Sequence, residues 1–247
     1  MGWIWLDGCL LHQEEFGWSF FRSNGFQEGV YETIRVEHQR IPLLKEHLCR
    51  LFRSRTLRDA NLKHSLTLNS VEQALRMLSK KNALTCQTLQ ANLFAYLDNS
   101  KRLHLAICIQ ELKPCENVEI AVLTLQKRNG LEHFFREKTF FTRFLLDDKT
   151  KGLPSFPNAE AVFYDPEESL LEGAHSALLF FKDGLVHTPE LELPILPSIG
   201  RKVTLQTLRA HGIPIREGRF QASDLFKADA VYLLNALRGL LPVVRVS

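Results

Sequence analysis

The stretch from Ala159 to Pro189 constrains the fold of this chain more than any other part of the sequence. It contains three short apolar runs that are separated by turn residues, and this pattern predicts consecutive buried strands. The third run is followed by Asp183-Gly184, and an Asp-Gly pair is a strong signal for a two-residue hairpin turn. Consecutive strands that are joined by tight turns predict a sheet at the centre of the fold.

One carboxylate stands directly after the second apolar run. Glu172 follows Leu170 and Leu171 and precedes Gly173. A glutamate at such a strand end is either solvated at the sheet margin or held inside the protein by a partner. The local pattern alone leaves both interpretations open.

The residues from Glu160 to Pro189 read EAVFYDPEESLLEGAHSALLFFKDGLVHTP. This stretch resembles the central signature of the fold-type IV pyridoxal-phosphate enzymes. Further segments that resemble the family occur in the family's order along nearly the whole chain, at 28–35, 47–51, 195–201 and 228–237. No single segment is specific to this family, but the complete set in this order is.

The resemblance implies the fold class and the general chemistry. We expect an α/β (α+β) fold of type IV, with two α/β domains and the active site between them. The family includes branched-chain and D-amino-acid aminotransferases and aminodeoxychorismate lyase. It therefore implies pyridoxal 5′-phosphate as cofactor, a small-molecule amine as substrate, and a homodimer.

Composition excludes several other classes of protein. Hydrophobic residues make up 45% of the 247-residue chain and charged residues 24%, as in an ordinary soluble globular protein. The net charge of +3 is spread along the chain and does not favour nucleic acid or a membrane as partner. No apolar run reaches the roughly 18 residues that a membrane span needs. The five cysteines form no CxxC pair and the nine histidines no HExxH spacing, which favours a cytoplasmic protein with reduced thiols and no metal site.

Residues 111–117, which include Pro114, are the best candidate for a linker. We expect a smaller N-terminal α/β domain at 1–112 and a larger C-terminal α/β domain at 118–247 that carries the cofactor lysine.

Periodicity and capping signals predict several elements within these domains. They are a strand at 29–36, helices at 42–58, 70–79 and 201–211, and a helical turn at 221–227. We expect Asn69 or Ser70 to cap the second helix and Ser223 to cap the helical turn.

The resemblance requires a lysine that bonds covalently to the cofactor, and four lysines are candidates. They are Lys127, Lys138, Lys149 and Lys151. The reacting amine must be neutral, which favours a partly desolvated site. Lys138 precedes an apolar segment and stands 23 residues before Ala161, close to the family's spacing. We predict Lys138 as the catalytic lysine, although Phe141 stands where the family has an asparagine.

The resemblance also implies the residues that hold the cofactor. They are Arg50, Glu172, Ser198, Ile199, Gly200 and Ala236. Arg50 and the helix start at 198–200 would hold the phosphate, because a guanidinium and first-turn amides both favour an anion. Without the resemblance, the pattern is typical of a solvated helix residue at Arg50. Glu172 would pair with the pyridine nitrogen. Gly200 replaces the family's threonine, so the hydroxyl is either missing or moved to Ser198.

Three functions remain open. Tyr31 and Asn235 are implied as substrate residues, and Asn235-Ala236-Leu237 is typical of the lyases, which form p-aminobenzoate, a folate precursor, and pyruvate. The second function is a branched-chain or D-amino-acid aminotransferase on the same scaffold. The third is a non-catalytic relative, because Phe141, Ala177 and Gly200 depart from the family pattern.

Overall fold

The computed structural model describes most of the chain. The described residues are 2–13, 18–23, 28–38, 40–55, 67–84, 88–124, 135–151 and 159–247. Within these ranges no helix is long and apolar enough to cross a membrane, and no group of potential ligands forms a metal site. The four described cysteines are free thiols, whereas Cys86 lies outside the described residues, as does Lys127.

The chain divides into two compact units. The first comprises residues 1–113 and 138–144, and the second comprises residues 114–137 and 145–247. The division at 113 lies within the predicted linker. Residues 138–144 differ from the prediction, because Lys138 belongs with the first unit and not with the C-terminal one. The reason is the ring of Phe140, which is buried in an aromatic cluster of the first unit.

A five-stranded antiparallel sheet forms the first unit, in the order β2-β1-β5-β4-β3. Its strands are β1 (Gly2–Leu6), β2 (Cys9–Gln13), β3 (Gly29–Val36), β4 (Leu89–Leu97) and β5 (Leu103–Glu111). Its helices are α1 (Trp18–Ser23), α2 (Leu44–Phe52) and α3 (Leu68–Lys81). Helix α4 (Phe140–Lys149) begins in this unit and continues in the second.

The two faces of this sheet bury different cores, because alternate residues of a strand point to opposite faces. Val30 and Ile34 of β3 belong to the aliphatic core that also contains the apolar stripes of α2 and α3. Tyr31 belongs to an aromatic cluster with Phe21, Phe94, Tyr96 and Phe140. The predicted strand at 29–36 and the two predicted helices are confirmed, with the first helix shorter than expected.

The second unit contains an eight-stranded mixed sheet, in the order β11-β10-β9-β12-β13-β6-β7-β8. Its first four strands are β6 (Val118–Thr124), β7 (Ala159–Tyr164), β8 (Leu170–Gly173) and β9 (Ala177–Lys182). The others are β10 (Leu185–Pro189), β11 (Ile215–Gly218), β12 (Ala230–Asn235) and β13 (Gly239–Val246). Helix α5 (Ile199–Ala210) and a 3₁₀ helix (Ala222–Lys227) complete the unit.

The stretch from Ala159 to Pro189 supplies four of these strands, as its turn signals predicted. Strands β9 and β10 form an antiparallel hairpin in which Lys182 pairs with Leu185. The two turn residues, Asp183 and Gly184, have φ values of 53° and 75°. Positive φ at both central positions defines the tight turn that the Asp-Gly pair favours.

Two capping predictions are wrong by a few residues. Thr67 caps α3 through the amide of Ser70, and the Ser70 hydroxyl accepts from the amide of Thr67 in return. The 3₁₀ helix begins after Gln221, whose amide donates to Asp224, and not at Ser223. Both segments contain several residues that can cap, and the reciprocal bond selects among them.

Candidate active site

Lys138 is positioned by an edge strand of the first unit. Strand β3 lies at the sheet edge, and the amide of Tyr31 donates to the carbonyl of Lys138 at 2.9 Å. Val30 and Thr139 form an antiparallel bridge beside it. The Lys138 Nζ lies 4.6 Å from the centre of the Tyr31 ring. Two of the predicted site residues, Lys138 and Tyr31, are thus brought into contact.

Two buried threonines start helix α4 immediately after the lysine. The Thr139 hydroxyl accepts from the amide of Thr142 at 3.0 Å, and the Thr142 hydroxyl accepts from the amide of Thr139 at 3.3 Å. This reciprocal pair satisfies two amides of the first turn. It fixes the backbone on the C-terminal side of Lys138, as the bond to Tyr31 fixes the lysine itself.

A buried carboxylate organises the cations of this region. Glu32 on β3 is 1% exposed. Its Oε1 accepts from Arg50 Nε and its Oε2 from Arg50 Nη2, both at 2.7 Å. His47 Nδ1 lies 2.7 Å from Oε2 of the same carboxylate. His47 and Arg50 are three residues apart on α2, so they share the helix face that covers β3.

The groups around Glu32 lower the pKa of its carboxyl group. Burial by itself would raise the pKa of Glu32, but the Arg50 guanidinium and the hydrogen bonds from Arg50 and His47 lower it to about 2. Because the ionised carboxylate can only accept, His47 Nδ1 is the donor in its contact.

Lys138 is half-buried, and desolvation of its amine is the main reason that its pKa falls to about 7. The Glu32 charge opposes this fall, whereas Arg50 and Arg143 add to it. A large share of Lys138 is therefore a neutral amine near pH 7. A neutral amine can act both as a nucleophile and as a base.

The other lysines of this region lack such an environment. Lys149 is exposed at the end of α4, and Lys151 forms an exposed ion pair with Asp148. Among the candidates that the structure describes, Lys138 is therefore the one whose surroundings suit a neutral, reactive amine.

Glu172 lies at the end of β8 in the second unit and is half-buried. Its Oε1 accepts from the amide of Leu196 at 2.9 Å. The residue is thus tied to the segment that leads into helix α5, and the interpretation as a purely solvated turn residue is wrong.

Helix α5 begins at Ile199, and Ser198 caps its N-terminus. The Ser198 hydroxyl accepts from the amide of Arg201 at 3.2 Å. The amides of Ile199 and Gly200 belong to the first turn, where a helix offers no acceptor of its own. A Cβ added to Gly200 would lie 3.6 Å from the Leu234 side chain and 3.8 Å from the backbone of Asn235. The predicted residues Gly200 and Asn235 therefore lie side by side.

The side chain of Asn235 shapes the turn that contains Ala236. Its Oδ1 accepts from the amides of Leu237 and Arg238 at 3.1 and 3.0 Å. Its Nδ2 donates to the Ser176 hydroxyl at 3.1 Å. These contacts give Asn235 a role in the turn itself, and its predicted contact with substrate stays a prediction.

Sequence reasoning missed Glu32 and His47. The available signal was the alternation in β3, since Glu32 shares a face with Val30, Ile34 and Val36. A carboxylate on an apolar face requires a cationic partner. Arg50 is that partner, on the helix that packs on the same face.

The chain resembles known proteins over most of its length. The sequence profile described as Amino-transferase class IV matches residues 29–246. The aminodeoxychorismate lyase of Bacillus subtilis (strain 168) is 24% identical over an alignment that covers 99% of this chain and 86% of the lyase. The D-alanine aminotransferase of Listeria monocytogenes serotype 1/2a (strain 10403S) is also 24% identical, over 92% of this chain and 81% of that protein.

A solved structure shows the same fold. The branched-chain aminotransferase from the thermophilic archaeon Thermoproteus uzoniensis, crystallised with norvaline, has a TM-score of 0.80 at 22% identity. The comparison covers 100% of this chain and 87% of that chain. The predicted fold class, α/β of the type IV aminotransferases, is confirmed.

Proposed function

Because this chain belongs to the class IV aminotransferase family, whose members use pyridoxal phosphate, we propose that it is a pyridoxal-phosphate-dependent lyase that converts aminodeoxychorismate to p-aminobenzoate and pyruvate. The observation that carries the pyridoxal-phosphate chemistry of this proposal is the state of Lys138. Its amine has a pKa of about 7 and lies within the field of Glu32 and Arg50. A lysine that is partly neutral at working pH suits both covalent attachment of an aldehyde and proton transfer.

The donor set of the chain fits pyridoxal phosphate. Lys138 would hold the cofactor covalently, and Arg50 with the first-turn amides at Ile199 and Gly200 would hold its phosphate. Glu172 would hold the pyridine nitrogen in its protonated form, and Ala236 would line the cofactor. When bound, pyridoxal phosphate supplies an electron sink for the carbanion that forms beside the substrate amine.

Lys138 would also move the substrate's protons. As a neutral amine it would accept the proton from the carbon that bears the substrate's amine, and as an ammonium it would return a proton later in the reaction. Tyr31, whose ring contacts the Lys138 amine, would border the substrate. Asn235 would do so from the end of β12.

Two observations support lyase chemistry over the alternatives. The turn after β12 is built from Asn235-Ala236-Leu237, the sequence typical of the lyases, and the B. subtilis relative is a lyase. Loss of pyruvate leaves an aromatic ring, so the reaction needs no second substrate. An aminotransferase for D-amino acids is the second candidate, and its support is the likeness to the Listeria enzyme.

The experiment that tests the proposal is a product assay on the purified protein loaded with pyridoxal phosphate. Aminodeoxychorismate should yield p-aminobenzoate and pyruvate in an assay to which no keto acid has been added as co-substrate. Formation of D-glutamate from D-alanine and 2-oxoglutarate, with no p-aminobenzoate, would overturn the lyase in favour of the aminotransferase. Absence of product from both reactions, and from a branched-chain amino acid with 2-oxoglutarate, would favour a non-catalytic relative. The proposal includes a homodimer in the cytoplasm, which light scattering and imaging of a tagged chain would test.

A further inference from the structure

Glu160 on β7 is a carboxylate that the proposed mechanism does not use. Its Oε1 accepts from the amide of His175 at 2.8 Å, and its Oε2 accepts from the Ser176 hydroxyl at 2.8 Å. Burial raises the pKa of Glu160, while these hydrogen bonds and the Arg238 charge act in the opposite direction. A desolvated carboxylate is costly unless its contacts compensate, so these contacts hold the group in place.

The carboxylate of Glu160 lies directly over the residue that follows Glu172. A Cβ added to Gly173 would lie 2.5 Å from Glu160 Oε1 and 3.0 Å from the carbonyl of Ser176. The Gly173 amide donates to that same carbonyl at 2.8 Å. Any larger residue at Gly173 would displace the carboxylate, which explains the glycine at this point.

The contacts of Glu160 continue to the turn at Asn235. The Ser176 hydroxyl gives its proton to Glu160, and its oxygen accepts from Asn235 Nδ2. Asn235 in turn accepts from the amides of Leu237 and Arg238. One buried hydroxyl therefore joins the segment after Glu172 to a turn about 60 residues later in the chain.

We propose that Glu160 is a positioning residue of the proposed active site, which holds the segment after Glu172 and, through Ser176, the turn at Asn235 in a single arrangement. The inference rests on the proposed function for its effect on catalysis. Glu160 itself is not assigned any contact with substrate or cofactor.

Glu160→Gln tests this role because an amide cannot satisfy both donors. With its oxygen toward His175, the glutamine places an NH₂ group against the Ser176 hydroxyl, which then loses its acceptor. In the opposite orientation, the NH₂ group faces the amide of His175. Either orientation leaves one of the two donors without its acceptor, whereas the carboxylate accepts from both.

The main measurement is amide hydrogen exchange on the protein without substrate. In Glu160→Gln, the amides of Leu237 and Arg238 should exchange roughly tenfold faster, as expected for one weakened hydrogen bond. Ser176→Ala should have the same effect, and the double variant should add little to either single variant. Ser176→Ala leaves the carboxylate in place, so it keeps the test decisive if Glu160→Gln does not fold.

Asp165→Asn is the matched control. Asp165 lies after the other end of β7, is 1% exposed, and accepts from the amides of Glu167 and Ser169. Both amides bond to Oδ1, an acceptor that asparagine keeps, so Asp165→Asn should leave exchange at Leu237 and Arg238 unchanged.

Turnover of the loaded enzyme gives the second readout. Glu160→Gln should lower kcat about tenfold with little change in KM or in cofactor occupancy. Unchanged exchange at Leu237 and Arg238 in both Glu160→Gln and Ser176→Ala would overturn the proposal. So would an effect confined to His175, since Glu160 would then close only its own turn. Failure of wild-type protein to form p-aminobenzoate would overturn the proposed function but would leave the exchange result standing.

Discussion

The two units hold their candidate site residues by different means. In the first unit, side chains contact side chains: Arg50 and His47 bind the Glu32 carboxylate, and the charges of Glu32 and Arg50 shift the pKa of Lys138. In the second unit, side chains mostly meet the backbone, as when Glu172 accepts from the amide of Leu196 and Asn235 accepts from the turn that follows it. The first arrangement depends on charge and therefore on pH, whereas the second depends on the path of the chain.

We expect the largest loss of activity on substitution of Lys138, which carries the proposed covalent and proton-transfer chemistry. Lys138→Ala should lower the rate of product formation by about 10⁴-fold, since it removes the group that transfers protons. In wild-type protein, borohydride reduction followed by peptide mapping should find the pyridoxyl label on Lys138. Lys149→Ala is the control and should retain full activity and labelling. A label on Lys149 or Lys151 would contradict the assignment.

Glu32→Gln should break the charged arrangement of the first unit. It leaves the Arg50 guanidinium beside a neutral amide, and we expect a loss of about 3–5 kcal/mol in the free energy of unfolding. It should also lower the pKa of Lys138 further, because the Glu32 charge raises that pKa. The acid limb of the rate profile should then move to lower pH. Glu28→Gln removes an exposed partner of Lys101 and should change stability by less than about 1 kcal/mol.

Glu32 also makes the stability of the folded protein depend on pH, in a direction that its lowered pKa defines. The pKa of Glu32 is about 2 in the folded protein against 4.5 ordinarily. A lowered pKa contributes stability above pH 4.5, and this contribution is lost as pH falls toward 2. Urea unfolding across this range should show the loss in wild-type protein and a smaller loss in Glu32→Gln. Equal slopes in the two proteins would show that other carboxylates dominate acid unfolding.

In the second unit, Glu172→Gln should leave the fold nearly unchanged and slow the reaction. Glutamine can still accept from the amide of Leu196, so the chain path is kept. The lost charge should cost roughly 100-fold or more in kcat, as electrostatic contributions at active sites commonly do, with cofactor occupancy retained. Glu167→Gln, in the preceding turn, is the control. Near-full turnover of Glu172→Gln would show that the carboxylate serves only the segment at Leu196.

The smallest effect is expected for cofactor affinity at Arg50. Arg50→Ala should weaken pyridoxal phosphate binding by about 1.5–3 kcal/mol through loss of a charge-assisted contact. Arg35, which pairs with the partly exposed Glu37, provides the control variant Arg35→Ala. If Arg50→Ala lowers stability but binds the cofactor as tightly as wild-type protein, then Arg50 serves only as the partner of Glu32.

Local features of the sequence predicted the local features of the structure. The Asp183-Gly184 hairpin and the alternation in β3 depend on residues that are neighbours in the chain, and both are confirmed. Exact caps were missed because Thr67, Asn69 and Ser70 can all cap, and only the folded backbone selects one.

Distant contacts were beyond the reach of sequence patterns. The packing of Phe140 against Phe21 and Phe94 joins segments that no periodicity relates, so the membership of Lys138 in the first unit was missed. The hydrogen bonds from Ser176 to Glu160 and from Asn235 to Ser176 also join residues that are distant in the chain, and no sequence pattern predicted them.

The first unit is built from two separate segments of the chain, and this affects when it can fold during synthesis. Phe140 is fully buried in the aromatic cluster of that unit, although residues 114–137 are made before it and belong to the other unit. A nascent chain that ends at residue 113 therefore lacks a ring whose absence costs about 3–5 kcal/mol in a packed core. The first unit therefore cannot complete its aromatic cluster until residue 140 has been synthesised. Lys138 lies in the same short segment that completes the cluster.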